Sequence, residues 1–291
     1  MSAESAVIIL TFNSAAVIGR TVAAALKVSP RIICVDSGSS DGTPEILRRL
    51  GCEVHSRAFL HYADQRNWAI RTLGDQFAWQ LHLDSDEVLD DEAIASLRAA
   101  LEDPREYAGF LLHRRTYFLG RELRLGGASN WHLRLFRSGW ARCEDRLYDQ
   151  HFICTGATRR LSGWMHDLNA GSLTEWTARH NRWSDLEARE LLRVADSTEM
   201  LPSRLGREPR MRRRAYKRLY YRAPPFVRAW AYFLFRYVGQ LGFLDGAAGF
   251  QYAFFQALWF RMLVDAKVYE ARSAPEPGHS PSADAASRSA R

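Results

Sequence analysis

Over the first ninety positions, short unbroken hydrophobic runs alternate with stretches that mix apolar and polar residues at helical spacing. Ala6–Leu10, Arg31–Asp36, Glu53–His55 and Phe77–Leu83 read as strands. Between them Ala15–Lys27, a stretch from Asp41 or Thr43 to about Leu50, and Tyr62–Leu73 read as helices; Pro44 suits a first helical turn. The alternation predicts an α/β fold with a mostly parallel sheet flanked by helices. In such sheets ligands sit beyond the C-terminal strand ends. Three polar loops fall at that edge: Thr11-Phe12-Asn13, Asp36–Gly42 and Asp84–Glu87. Together they predict one nucleotide-sized site.

After a helix near Asp90–Leu101, Tyr107–Tyr117 and Trp131–Arg137 read as longer strands, residues 143–154 as mixed strand and loop, and Ser172–Met200 as a long helix. Residues 225–269 are dense in aromatics, interrupted by Arg236, Asp245, Arg261 and Asp265, so no apolar run approaches the ~20 residues that span a bilayer. Gly239, Gly242, Gly246 and Gly249 predict a bend between two helices. Residues 1–200 are expected to form the catalytic domain, 201–270 a basic and aromatic helical extension, and 271–291 a disordered tail of Ala, Ser, Pro, Gly and charge.

An apolar fraction of 47% over 291 residues suffices for a core. The N-terminus carries neither a basic nor an apolar leader region, and four scattered cysteines support no zinc site or disulfide framework, which fits a reducing cytoplasm. The net charge of +7 is uneven: Arg210, Arg212, Arg213, Arg214, Lys217, Arg218, Arg222 and Arg228 cluster without an acidic neighbour. Such a cluster seeks phosphate. With no nucleic-acid fold beside it, and aromatic helices after it, it points to an anionic membrane surface and not to nucleic acid.

The run Leu81-His82-Leu83-Asp84-Ser85-Asp86-Glu87 ends a buried strand in three carboxylates. Carboxylates are seldom buried unpaired. Alternate strand residues share a side, so Asp84 and Asp86 can face one cation, and an oxygen cluster suits Mg²⁺ or Mn²⁺. A solvated turn is the alternative. Asp36 ends the second strand, where it can accept from ribose hydroxyls or serve as a turn residue; Gln65, Arg66 and Asn67 bring donors at a helix start. Glu144, Asp145, Asp149 and His151 make a second acidic cluster able to supply a general base. The His166-Asp167 pair follows a further strand as a candidate metal ligand or phosphate contact.

Val7–Asn13, Val35–Thr43 and Leu83–Glu87, in that order and spacing, strongly resemble family 2 glycosyltransferases of the glycosyltransferase A fold. Glu144–Phe152 and Gly242–Gly246 are similar to the branch that builds lipopolysaccharide core and exopolysaccharide. The likeness runs over about residues 5–270 and is firmest before 90. It implies inverting transfer from a nucleotide-diphosphate sugar, UDP-sugar favoured, with Mg²⁺ or Mn²⁺, to a lipid-linked acceptor at the cytoplasmic face of the inner membrane. Asp36 would contact the nucleotide, alongside Thr11, Asn13, Gln65, Arg66 and Asn67. Asp84 would lie near ribose and metal, Asp86 would ligate the metal, and His166 would be a further ligand. Asp145 is the first choice of base, with Glu144 and Asp149 behind it. Many relatives in this branch carry His-Glu where this chain has His151-Phe152. A phosphatase using Asp84 as nucleophile, a sugar nucleotidyltransferase and a non-catalytic membrane-bound scaffold are the competing readings.

Overall fold

The structure, a computed structural model, describes residues 4–73, 76–147, 150–169, 171–196 and 220–273. Four parallel strands build its first half: β1 (Ser5–Thr11), β2 (Ile32–Asp36), β3 (Glu53–Ser56) and β4 (Trp79–Asp84). The helices between them are α1 (Ile18–Leu26), α2 (Thr43–Arg49) and α3 (Tyr62–Leu73). Strand β1 is hydrophobic at every interior position because both its faces are covered. Val7 and Ile9 pack toward Ile18 and Val22 of α1, whereas Ile8 and Leu10 share the opposite core with Ala69 of α3. The α/β architecture read from the sequence is therefore present.

The second half is mixed. It comprises β5 (Glu87–Leu89), α4 (Asp91–Glu102), β6 (Gly109–Phe118), β7 (Arg121–Glu122), β8 (Asn130–Arg137), β9 (Ala141–Cys143), β10 (Phe152–Cys154) and β11 (Thr158–Asp167). Among the described residues nine strands form one sheet, ordered β3-β2-β1-β4-β8-β6-β11-β5 with β7 on β6; β9 and β10 form a separate hairpin. Strand β8 enters antiparallel between β4 and β6, and β5 runs antiparallel to β11.

Local chemistry moves two expected boundaries. Helix α1 begins at Ile18, three residues later than the periodicity indicates, after a turn in which the Ala15 N–H donates to Asp41 Oδ2 at 2.9 Å. The fourth strand reaches Asp84, one residue beyond its apolar run. Helix α5 (Leu173–Asp196) starts where expected, with Ser172 and Glu175 bonding reciprocally as a capping box.

The C-terminal region contains α6 (Val227–Leu234), extended by a π-helical turn at Phe235–Gly239, then a short 3₁₀ turn at Gly242–Asp245. Next come α7 (Gly246–Tyr252), a second π-helical segment at Ala253–Trp259, and α8 (Phe260–Ser273). The bend expected from the glycines lies at 239–246. Arg228 departs from its expected role in a phosphate-seeking basic run: it is buried, and its Nε donates to both Asp265 oxygens at 3.1 Å. Arg210–Arg218, the expected boundary at residue 200 and most of the 271–291 tail lie outside the described residues. No described helix is long and apolar enough to cross a membrane.

Gly163 is the tightest backbone contact between β11 and α4. Its φ is +84°, and a Cβ there would meet Ala93 N at 2.0 Å. Gly163→Ala is expected to cost about 3 kcal/mol from overpacking plus the left-handed backbone, read as a lowered Tm in thermal melts.

Candidate active site

The loops after β1, β2 and β4 meet at one edge, as expected. Asp36 organises that edge. It is buried and accepts from Thr11 Oγ1 (2.9 Å), Ser39 Oγ (2.6 Å) and the backbone N–H groups of Gly38 (3.0 Å) and Ser39 (2.9 Å). Asn13 takes a left-handed φ of +46°. Its N–H donates to Ser39 Oγ, and its Oδ1 accepts from the Ser40 N–H. Ser14 Oγ donates to Ser85 Oγ at 2.7 Å, tying the first loop to the carboxylate loop. Gln65 Nε2 donates to Ser37 Oγ at 2.7 Å. Thr11, Asn13, Asp36 and Gln65 thus share one hydrogen-bonded cradle.

At the end of β4, Arg66 donates to Asp84 Oδ1 at 2.5 Å and Arg134 to Asp84 Oδ2 at 3.1 Å. Arg134 also donates to Glu87, whose Oε2 accepts the Asp84 N–H at 2.9 Å. Burial works against charge on Asp84, but the two guanidinium groups outweigh it and hold the carboxyl well below its usual range. Asp86 has only the weak opposing pull of Arg179. Burial, then the neighbouring Asp167, Asp84 and Glu87 charges, push it up to about 8. Among the described residues its carboxylate meets no hydrogen-bond partner. Asp167 is likewise raised, first by burial, against an Arg114 contact at 3.4 Å.

The end of β4 therefore holds one carboxylate locked in its ionised form beside another on which burial and three acidic neighbours outweigh the single opposing charge of Arg179. A group that adds positive charge next to Asp86 would be stabilised there. A family model described as Glycosyl transferase family 2 matches residues 6–161, more than half of the chain. The chain belongs to this family.

Two glycosyltransferases are similar to it in sequence. The uncharacterized glycosyltransferase RP128 of Rickettsia prowazekii (strain Madrid E) is 30% identical over 117 residues, 40% of this chain and 36% of that protein, so the match spans little more than a third of that relative. The lipopolysaccharide core biosynthesis glycosyltransferase LpsC of Rhizobium meliloti (strain 1021) is 26% identical over 281 residues, 90% of each chain. Among solved structures, the mannosyltransferase PcManGT from Pyrobaculum calidifontis, in complex with GDP-Man and Mn²⁺, covers 95% of this chain and 77% of its own at 14% identity and a TM-score of 0.45.

The donor set fits a hard divalent ion of the kind expected in family 2. Among the described residues no three His, Cys, Asp or Glu side chains converge as a ready-made metal cage. A Mg²⁺-like ion needs none, because one or two carboxylates plus substrate phosphates commonly hold it. The structure separates the two members of the His166-Asp167 pair. His166 lies 3.2 Å from the Tyr117 hydroxyl and 3.9 Å from Asp90, while Asp167 on the other strand face is the one whose charge acts on Asp86.

The second acidic cluster is split as well. Glu144 is buried, its N–H donating to the His151 carbonyl at 3.0 Å and its carboxylate accepting from the His151 N–H at 3.3 Å. Asp145 is exposed and lines a cavity of about 670 Å³ with His61, Asp64, Asn67, Arg71 and Arg142. Asp149 lies outside the described residues. Asn67 joins the two halves: its amide donates to the Cys143 carbonyl at 3.0 Å and accepts the Cys143 N–H at 2.8 Å. Asn67→Leu leaves that backbone pair without partners and is expected to cost about 2 kcal/mol, with faster amide exchange at Cys143 as the readout.

Sequence reasoning missed Arg134, and although it noted Glu87 in the carboxylate loop it did not see that the two pair beneath the site. The available signal was an arginine inside the otherwise hydrophobic Leu133–Phe136 segment, opposite a loop of three carboxylates.

Proposed function

We propose that this chain is a metal-dependent inverting glycosyltransferase. It moves a sugar from a nucleotide-diphosphate sugar, UDP-sugar favoured, to a lipid-linked or lipopolysaccharide/exopolysaccharide acceptor at the cytoplasmic membrane face. The Asp86 carboxyl, crowded by Asp167, Asp84 and Glu87 beside an arginine-locked Asp84, supports this reading most. Asp86, with Asp84, would hold Mg²⁺ or Mn²⁺, which supplies charge neutralisation to the departing diphosphate. The Asp36 loop, with Thr11, Asn13 and Gln65, would shape the nucleotide side. Arg66 and Arg134 keep Asp84 ionised at the same edge. Of the His166-Asp167 pair, Asp167, whose charge acts on Asp86, would be the further ligand of the metal end.

Asp145 is the proposed base. It removes the acceptor hydroxyl proton as that oxygen bonds to the anomeric carbon, and the C–O pair leaves with the diphosphate. Buried Glu144, bonded to the His151 backbone, positions this loop. The relation to LpsC supports a lipopolysaccharide-core acceptor. Against a phosphatase, both Asp84 oxygens are engaged by guanidinium groups, which blunts a carboxylate nucleophile.

Calorimetric titration of UDP, GDP and dTDP, each with and without Mn²⁺, tests the reading. One nucleotide is expected to bind only with Mn²⁺. Absence of binding by all three to the folded chain would overturn the transferase assignment.

A further inference from the structure

The C-terminal helical hairpin is amphipathic in the wrong sense for water. A solvent-facing helix turns its charges outward and its large apolar groups inward. Here the charges turn in. Arg228 pairs with Asp265, Arg261 donates to Glu187 at 2.9 Å, and Arg236 donates to the Gly126 carbonyl at 2.5 Å. Outward instead point Val227, Trp230, Leu234, Phe235, Val238 and Leu244, each between 51% and 62% exposed. Val227, Trp230, Leu234 and Val238 recur at helical spacing, and an exposed apolar face of that kind marks an interaction surface.

The hairpin tip is hydrogen-bonded to the sheet domain. Leu241 sits at φ +59°, a left-handed conformation that disfavours a branched side chain, and it starts the exposed turn that carries Phe243 and Leu244. Asp245 accepts the N–H groups of Arg124 (3.1 Å) and Leu125 (2.9 Å), and the Gly126 N–H donates to the Gln240 carbonyl at 3.0 Å. The sheet domain thereby holds the tip and its apolar side chains in place.

Charge selects the occupant. Residues 203–222 hold nine Arg or Lys against one Glu and precede the hairpin in sequence. An anionic bilayer offers apolar depth to the hairpin and negative headgroups to the basic segment.

Given the lipid-linked acceptor proposed above, we infer that the outer face of α6, its π-helical turn and the Leu241–Leu244 tip insert into the interfacial layer of an anionic membrane. The basic segment attracts the chain to that membrane and the apolar face holds it there.

Cosedimentation of the full chain with phosphatidylcholine vesicles, with and without phosphatidylglycerol, tests this. Wild type is expected to bind the anionic vesicles. Leu234→Ser/Leu244→Ser, with unchanged Tm, is expected to bind them at least ~10-fold more weakly through lost apolar burial. Arg212→Ser/Arg213→Ser/Arg214→Ser is expected to weaken binding by a similar ~10-fold or more and to remove most of its salt dependence. Trp230 fluorescence, taken as the difference between wild type and Trp230→Phe, is expected to shift to the blue on vesicles. Equal binding by the apolar double variant, no vesicle binding by wild type, or a dimer that the double variant dissociates would each overturn the insertion. UDP–Mn²⁺ titration of the same preparations keeps the two questions apart. Intact nucleotide binding without vesicle binding sinks only the insertion, whereas vesicle binding without nucleotide binding sinks only the transferase reading.

Discussion

Asp86→Asn is expected to lower sugar transfer by about three orders of magnitude while leaving the unliganded chain as stable as wild type or more so. The two effects share one cause. Burial and the Asp167 charge push Asp86 up to about 8 from an ordinary 3.8. A raised folded-state value means that the native chain holds this proton more tightly than the unfolded chain. The stability it contributes is whole below about 4 and is lost as pH climbs through about 8. Asn carries no such proton, so wild type is expected to fall behind the variant in Tm at pH 8 and to draw level near pH 5. A bound cation reverses the sign. It needs the ionised carboxylate, so UDP with Mn²⁺ is expected to raise the wild-type Tm more at pH 8 than at pH 6, and to leave the variant unmoved. Thermal melts at these pH values, with and without UDP and Mn²⁺, read every term. Equal UDP–Mn²⁺ stabilisation of the two proteins would remove Asp86 from the metal site.

What the sequence conveyed divides along physical lines. Strands β1 and β4 were legible because parallel strands buried on both faces leave an unbroken apolar run, and the polar loops at their C-terminal ends followed from sheet geometry. Strand β5 was not legible. It has three residues, and its partners Met165, His166 and Asp167 lie far along the chain. That same pairing decides which of His166 and Asp167 turns toward Asp86, so the ligand choice depended on a register no local pattern reports. Asp36 was recognised as a strand-end carboxylate, but the sequence does not reveal that Thr11, Gly38 and Ser39 already occupy its oxygens. The C-terminal helices posed the hardest case. Composition announces aromatic and basic content, yet only packing shows that Arg228 and Arg236 turn inward while Trp230 and Leu234 turn outward.

Arg134→Met is expected to be the most destabilising substitution at the site, by about 3–5 kcal/mol, because it removes one partner of a buried charge network and strands the others. Arg134 is buried, as is Glu87, and the pair lies directly under Asp84. Burial already raises Glu87 to about 7 even with Arg134 attached, so without that guanidinium the carboxyl is expected to keep its proton at neutral pH. The deficit should therefore be larger at pH 8 than at pH 5, where Glu87 can escape its charge by protonation. Arg134→Met/Glu87→Leu is expected to recover part of the loss, with a coupling of roughly 1–3 kcal/mol, although the Asp84 N–H then loses its acceptor. Urea unfolding at the two pH values measures both quantities. A single variant within 1 kcal/mol of wild type would mean that solvent, not Arg134, neutralises this edge. The same substitution bears on function: Asp84 is held ionised by Arg66 and Arg134 together, so losing Arg134 should weaken Mn²⁺-dependent nucleotide binding together with stability. Asp86→Asn should remove that binding without loss of stability. That contrast separates a residue that keeps the site charged from one that holds the cation.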